Sequence, residues 1–184
     1  GDRIKIVEWP ADFNFSKIVN FGVEKAEGDF LLFLNNDTEV ITGEWIERML
    51  GLCLRDEVGA VGARLYFKDN TIQHAGVCIA GGVGAHIGRS VPKEDEGYYC
   101  LYGRRRSLCV VTAACMMVRR EVFDSVGGFT EDFASDFNDV DFCFKVRAGG
   151  HLVVYEPSVE LYHYESISRG PKKTFEEKIR FHKE

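Results

Sequence analysis

The chain has 184 residues, 45% of them hydrophobic, and a formal net charge of −6. That length supplies one sizeable core rather than two, and the acidic balance gives no bulk reason to bind nucleic acid. No apolar run approaches the roughly 18 residues that span a bilayer, so the expectation is a cytoplasmic chain that reaches the inner face of a membrane only peripherally.

In chain order, Ile4 to Trp9 reads as a short strand closed by Pro10, and Phe15 to Glu27 carries Phe15, Ile18, Val19, Val23 and Ala26 at helical spacing before Gly28. Asp29 to Leu34 is a continuous apolar run of strand length, the pattern of a strand buried on both faces of a parallel sheet. Thr42 is placed to cap a helix bearing Trp45, Ile46, Met49 and Leu50, and Val58 to Tyr66 resumes as a strand of small residues. From Asp69 to Arg106 glycines accumulate and polar residues interrupt every apolar run, which predicts strands and a long mobile loop. Ser107 to Arg119 reads as one buried strand, Arg120 to Val126 as a short helix and Gly127-Gly128-Phe129 as a turn. A helix from about Asn138 to Ala148, a strand from Leu152 to Tyr155 ended near Pro157, and a charged helix from about Lys173 to Lys183 complete the α/β pattern. The six cysteines stand singly among apolar neighbours without a C-x-x-C pair, the pattern of buried free thiols.

Three clusters carry chemistry. Asp37, after Asn35 and Asn36, lies just past the end of an apolar strand, where open α/β sheets bind ligands and where a carboxylate suits a hard cation. A polar turn would use the same residue types. Asp132, Asp136, Asp139 and Asp141 crowd a loop and the first turn of a helix, a place that attracts carboxylates for capping alone. Asp139 and Asp141, two apart, point in different directions, so one can act as a base while the other braces. His163, between Tyr162 and Tyr164, offers an imidazole to a metal or to the core. Arg104, Arg105 and Arg106 form a basic run that suits phosphate, an anionic acceptor or solvent.

The order and spacing of these elements resemble family 2 glycosyltransferases with the GT-A fold, through almost the whole chain, which implies a Rossmann-like mixed sheet flanked by helices. Asn20-Phe21-Gly22, Ala26-Glu27-Gly28-Asp29 and Phe33-Leu34-Asn35-Asn36-Asp37 are similar to the family's N-x-G, A-x-G-D and L-(D/N)-(D/N)-D series. Asn138-Asp139-Val140-Asp141 resembles its E-D-x-D helix, with Asn138 in place of the glutamate, and His163 to Ser166 its H-x-x-S element. The resemblance implies Asp139 as the catalytic base and Asp37 with His163 on a divalent metal, Mn²⁺ or Mg²⁺. It puts Asn20, Asn35 and Asn36 on the donor side and Thr112, Ala113, Gly128, Asn138 and Asp141 on the acceptor side. It further implies a UDP- or dTDP-type nucleotide-sugar donor and a glycan or lipid-linked acceptor. Gln73-His74-Ala75-Gly76 and His163 to Gly170 are closest to the subgroup for surface polysaccharide and O-antigen assembly, which includes rhamnosyltransferases. By the same comparison residues 1–184 form a single partial domain that begins after the family's opening βαβ unit. A bare sheet edge would then favour self-association, and the chain alone would bind donor weakly. Asn35 and Asn138 in place of acids favour a second reading, a catalytically silent sugar-binding or scaffold module of the same fold, and a third is a nucleotide-sugar hydrolase that uses the same metal and a water.

Overall fold

A computed structural model describes residues 4–80 and 83–164, so the expected helix from Lys173 to Lys183 lies outside the described residues. Helix α1 (Phe15–Lys25) starts at Asn14, whose side chain accepts from the Lys17 N–H, and ends where Ala26 turns extended. The segment expected to form a strand before it, Ile4 to Trp9, is irregular. Strands β1 (Phe30–Leu34), β2 (Thr38–Val40), β3 (Val58–Tyr66), β4 (Ile72–His74), β7 (Arg106–Leu108), β8 (Cys115–Arg119) and β9 (Leu152–His163) form one sheet with the order β1-β8-β3-β9-β2. In it β4 pairs with β3, and β7 with β9. Strands β5 (Val77–Ala80) and β6 (Val83–His86) form a separate hairpin.

The sheet is mixed and flanked by helices, as the GT-A resemblance implies, but β1 is not one of its parallel strands: β3 runs parallel to β9, and β1 pairs antiparallel to β8 at the edge. Strand β1 shows why its apolar run misleads. Leu31 and Phe33 face the aromatic core while Phe30 and Leu32 pack against the opposite one, so both faces are covered whatever the direction of the neighbouring strand. The expected single strand from Ser107 to Arg119 is two, β7 and β8, parted by residues 109–114. Pro157 does not end β9. The register against β3 jumps from Ala63 opposite Glu156 to Arg64 opposite Glu160, a bulge that absorbs the missing N–H.

Helices α3 (Arg120–Ser125) and α4 (Asn138–Ala148) join α1 on one face, where Phe33, Phe123, Phe129 and Phe142 cluster and the last two stack at 4.6 Å between centroids. On the other face α2 (Trp45–Cys53) seats Met49, Leu52 and Cys53 on Val61, Leu65 and Leu161. Thr42 does not cap α2. Its hydroxyl donates to the Ser158 carbonyl and accepts from Glu160 N–H, while Glu44 stands at the helix start. Strand β3 is small because it is crowded. A Cβ at Gly59 would lie 2.6 Å from Val146, and one at Gly62 2.4 Å from Val111. The thiols depart from expectation in part: Cys53, Cys115 and Cys143 are buried, but Cys78 and Cys109 are exposed. Among the described residues no helix is long and apolar enough to cross a membrane.

Candidate active site

The chain leaves β1 at Leu34, turns through Asn35 and the exposed Asn36, and re-enters as β2 beside the end of β9. Thr38 donates its hydroxyl to the Asn35 carbonyl at 2.8 Å and pairs across the ladder with His163. The turn thereby delivers Asp37 to the imidazole, with Oδ1 3.1 Å from His163 Nε2. Asn35 Nδ2 lies 3.2 Å from the same nitrogen. Gln73 on β4 fixes the ring: its Nε2 donates to the His163 carbonyl at 3.1 Å, which leaves Oε1, 2.6 Å from Nδ1, to accept the ring proton. In the neutral ring Nε2 therefore carries a lone pair toward the Asp37 carboxylate.

Asp139 occupies the first turn of α4, partly accessible. It is aligned by the Asn138 side chain, which accepts the Asp139 N–H at 2.7 Å. The Thr112 hydroxyl and the backbone N–H groups of Ala113 and Val140 bond its carboxylate. Burial raises the Asp139 carboxyl above the ordinary carboxylate range, opposed by the charge of His86 and by those hydrogen bonds. An ionised carboxylate made more basic by burial suits proton abstraction near neutral pH. Residues 112–114 tie the two halves of the site together, since Ala114 accepts the Asn35 N–H at 3.0 Å while Thr112 and Ala113 hold Asp139.

The sequence profile described as "Glycosyl transferase family 2" matches residues 1–127. The chain belongs to this family. It is 43% identical over 184 residues to the uncharacterized protein y4gI of Sinorhizobium fredii, covering 99% of this chain and 20% of that protein. It is 39% identical over 171 residues to the O-antigen biosynthesis protein RfbC of Myxococcus xanthus, covering 91% of this chain and 13% of that one. The chain thus spans a fifth or less of the length of these two relatives. The solved structure of GalNAc-T7 with UDP, GalNAc and Mn²⁺ superposes with a TM-score of 0.68 at 12% identity, over 92% of this chain and 34% of that one, which identifies the fold as GT-A.

Within this glycosyltransferase fold the other sequence-predicted residues fall on the frame of the site. Asp141 accepts from Thr130 at 2.7 Å and lies 3.4 Å from Lys145 Nζ, which donates to the Gly128 carbonyl at 2.6 Å. Asp141 is thus engaged with Thr130 and Lys145. Gly128 has φ +65°, and a Cβ there would meet Asn20 Oδ1 at 2.8 Å. Asn20 itself spends its amide on the backbone of Phe129. The arginine run is largely committed elsewhere. Arg105 pairs with the buried Glu156, and Arg106 donates to the Ala75 carbonyl and lies over the Tyr155 ring.

For a divalent cation, Asp37 and His163 fit as one carboxylate and one imidazole whose second nitrogen is anchored by Gln73. Among the described residues no group of three His, Cys, Asp or Glu side chains gathers around them, so a metal here would take its remaining ligands from donor or water. Two residues the site uses were not assigned a role from sequence. Gln73 stands in the Gln73-His74-Ala75-Gly76 segment, whose wording was legible, and His86 gives no sequence signal at all.

Proposed function

We propose that this chain carries the catalytic centre of an inverting glycosyltransferase that moves a sugar from a nucleotide-diphosphate sugar to a hydroxyl of a glycan or lipid-linked acceptor, in cell-surface polysaccharide synthesis at the cytoplasmic side of the membrane. The observation that carries this reading is that residues 112–114 join the two halves of the site, with Thr112 and Ala113 bonding the Asp139 carboxylate and Ala114 bonding the turn that brings Asp37 to His163. Asp139 takes the proton of the acceptor hydroxyl as its oxygen bonds the anomeric carbon, and the bond from that carbon to the donor diphosphate breaks. A single displacement inverts the configuration. Asp37 and His163 would hold Mn²⁺ or Mg²⁺, whose charge offsets that of the leaving diphosphate. Thr112 and Ala113 hold the base, Asn138 aligns its backbone, and Asp141 with Lys145 fixes the Gly128 turn beside it.

The test offers UDP- and dTDP-sugars with a lipid-linked acceptor to the parent chain and to Asp139→Asn. Transfer by the parent with loss in the variant supports the proposal. Transfer at the parent rate by the variant removes Asp139 as the base, and acceptor-independent sugar release by both replaces transfer with hydrolysis.

A further inference from the structure

Gly97 opens a tight turn that carries Tyr98 and Tyr99 outward, 83% and 81% exposed, their rings meeting edge to face with centroids 4.5 Å apart. Among the described residues these are the two most exposed aromatic side chains, so burial does not account for them. The backbone that presents them is strained. Tyr99 and Cys100 hold φ +52° and +57°, a left-handed conformation that is costly for any residue with a side chain and persists only where the surroundings impose it. Those surroundings are firmly built. The Cys100 N–H donates to the Gly97 carbonyl at 3.0 Å, the Tyr102 N–H to the Glu96 carbonyl at 2.8 Å, and the Gly97 N–H to the Asp95 carboxylate at 2.7 Å. The Tyr102 ring lies so close to Gly88 and Gly97 that a Cβ on either would sit 2.9 or 2.6 Å from it, and the Tyr102 carbonyl accepts the Tyr155 hydroxyl at 2.8 Å. Tyr102 also packs on the aromatic core that holds Val140 and Phe142 of α4, so the turn stands on the face of the sheet that carries Asp139.

We propose that Tyr98 and Tyr99 form a stacking subsite for a neutral sugar ring of the acceptor glycan, at a sugar other than the one that reacts, since the Asp139 carboxylate takes its bonds from Thr112, Ala113 and Val140. This rests on the proposed glycan acceptor. The C–H groups on one face of a sugar ring pack against an aromatic face, and tyrosine supplies such area with few torsions to freeze. Two rings crossed at 83° on a rigid turn offer one face and one edge in fixed geometry, which a sugar ring uses and a fluid lipid interface does not. Charge points the same way. Glu94, Asp95 and Glu96 are exposed just before the turn, where carboxylates accept sugar hydroxyls and repel anionic lipid headgroups. Beyond the turn Arg104 is exposed, but Arg105 is paired with Glu156, so the rim lacks the basic cluster of a membrane-surface contact.

An array of neutral oligosaccharides built from hexose, deoxyhexose and N-acetylhexosamine units, followed by calorimetric titration of the best binder, reads this without donor or metal. The parent should bind at least one of them. Tyr98→Ala with Tyr99→Ala should weaken that binding about tenfold or more, Tyr98→Phe with Tyr99→Phe should retain it because the rings remain, and Arg104→Ala should leave it unchanged. Thermal melts confirm that each variant is folded. A parent that binds none of the array, or a double alanine variant that binds as the parent does, overturns the proposal. So does cosedimentation with phosphatidylethanolamine and phosphatidylglycerol vesicles that the double alanine variant loses while its glycan binding stays, since the pair would then be a membrane contact. Failure of the transferase reading is distinguishable: a parent that binds glycan through the two rings and transfers no sugar would sink that reading and leave this subsite standing.

Discussion

Asn20 brackets Phe129 with both ends of its amide: Nδ2 donates to the Phe129 carbonyl at 2.9 Å, and Oδ1 accepts the Phe129 N–H at 2.9 Å. Helix α1 is thereby fastened to the turn that leads into α4, and the same Oδ1 stands where a side chain on Gly128 would need to be. The N-x-G signature, whose Asn20 the family resemblance placed on the donor side, has a backbone-organising role in this fold.

Gly128→Ala should therefore destabilise the chain by about 2 kcal/mol or more, combining a left-handed backbone with the loss of one Asn20 bond. Asn20→Ala should cost a comparable amount, roughly two hydrogen bonds at about 1 kcal/mol each. Urea unfolding measures both. Unchanged midpoints would mean that the turn is held by Lys145 and the aromatic core alone.

Asp37→Ala should abolish the Mn²⁺ dependence of nucleoside diphosphate binding, because the pair has a single carboxylate. His163→Ala should cost less, on the order of 10-fold, and regain affinity at higher metal concentration as water fills one position. Calorimetric titration of UDP and of dTDP, each with and without Mn²⁺, separates the two. Equal metal dependence in parent and Asp37→Ala would remove Asp37 from the metal.

Helix α4 and strand β3 were legible in the sequence to the residue because their signals are local: an Asn-Asp start and a glycine end in one, an unbroken small-residue run in the other. The direction of β1 was not, although the family resemblance implied a mixed sheet. The Phe30 to Leu34 run reports burial, and burial is the same beside a parallel or an antiparallel partner. Pro157 was read as a stop because the bulge that tolerates it depends on β3, nearly a hundred residues away in sequence. In the site, Asp37, Asp139 and His163 were named from motif spacing, whereas the Gln73 and His86 contacts depend on β4 and a hairpin meeting distant strands. Such contacts leave no spacing to read.

Asp139→Asn carries a stability signature besides its expected loss of transfer, which should be on the order of 10² to 10⁴-fold. The carboxyl is raised in the fold, so the folded chain binds more protons than the unfolded one between the unfolded and folded values. Stability from this group is thus full at low pH and falls as pH rises through its folded value. Asparagine cannot ionise and does not lose it. Thermal melts of parent and variant should diverge in favour of the variant as pH rises from about 4 to 7, starting from the ordinary aspartate range. A constant difference across that range would mean that burial does not tax the ionised form.

Arg105 and Glu156 give the last prediction. Glu156 is 2% exposed, and one of its oxygens accepts from both the N–H and the hydroxyl of Ser158, holding the bulge around Pro157. Its other oxygen has the guanidinium of Arg105. Removing the arginine leaves a buried carboxylate without its counter-charge, which is costly, although Arg105 is itself half exposed and water can reach part of the gap. Arg105→Ala should therefore lose about 1 to 2 kcal/mol in urea unfolding, while its affinity for UDP or dTDP stays within error of the parent. Arg104→Ala, at an exposed position, should change neither. A tenfold loss of nucleoside diphosphate affinity in Arg105→Ala without loss of stability would reverse the assignment, returning the arginine to the phosphate and making its pairing with Glu156 a resting position.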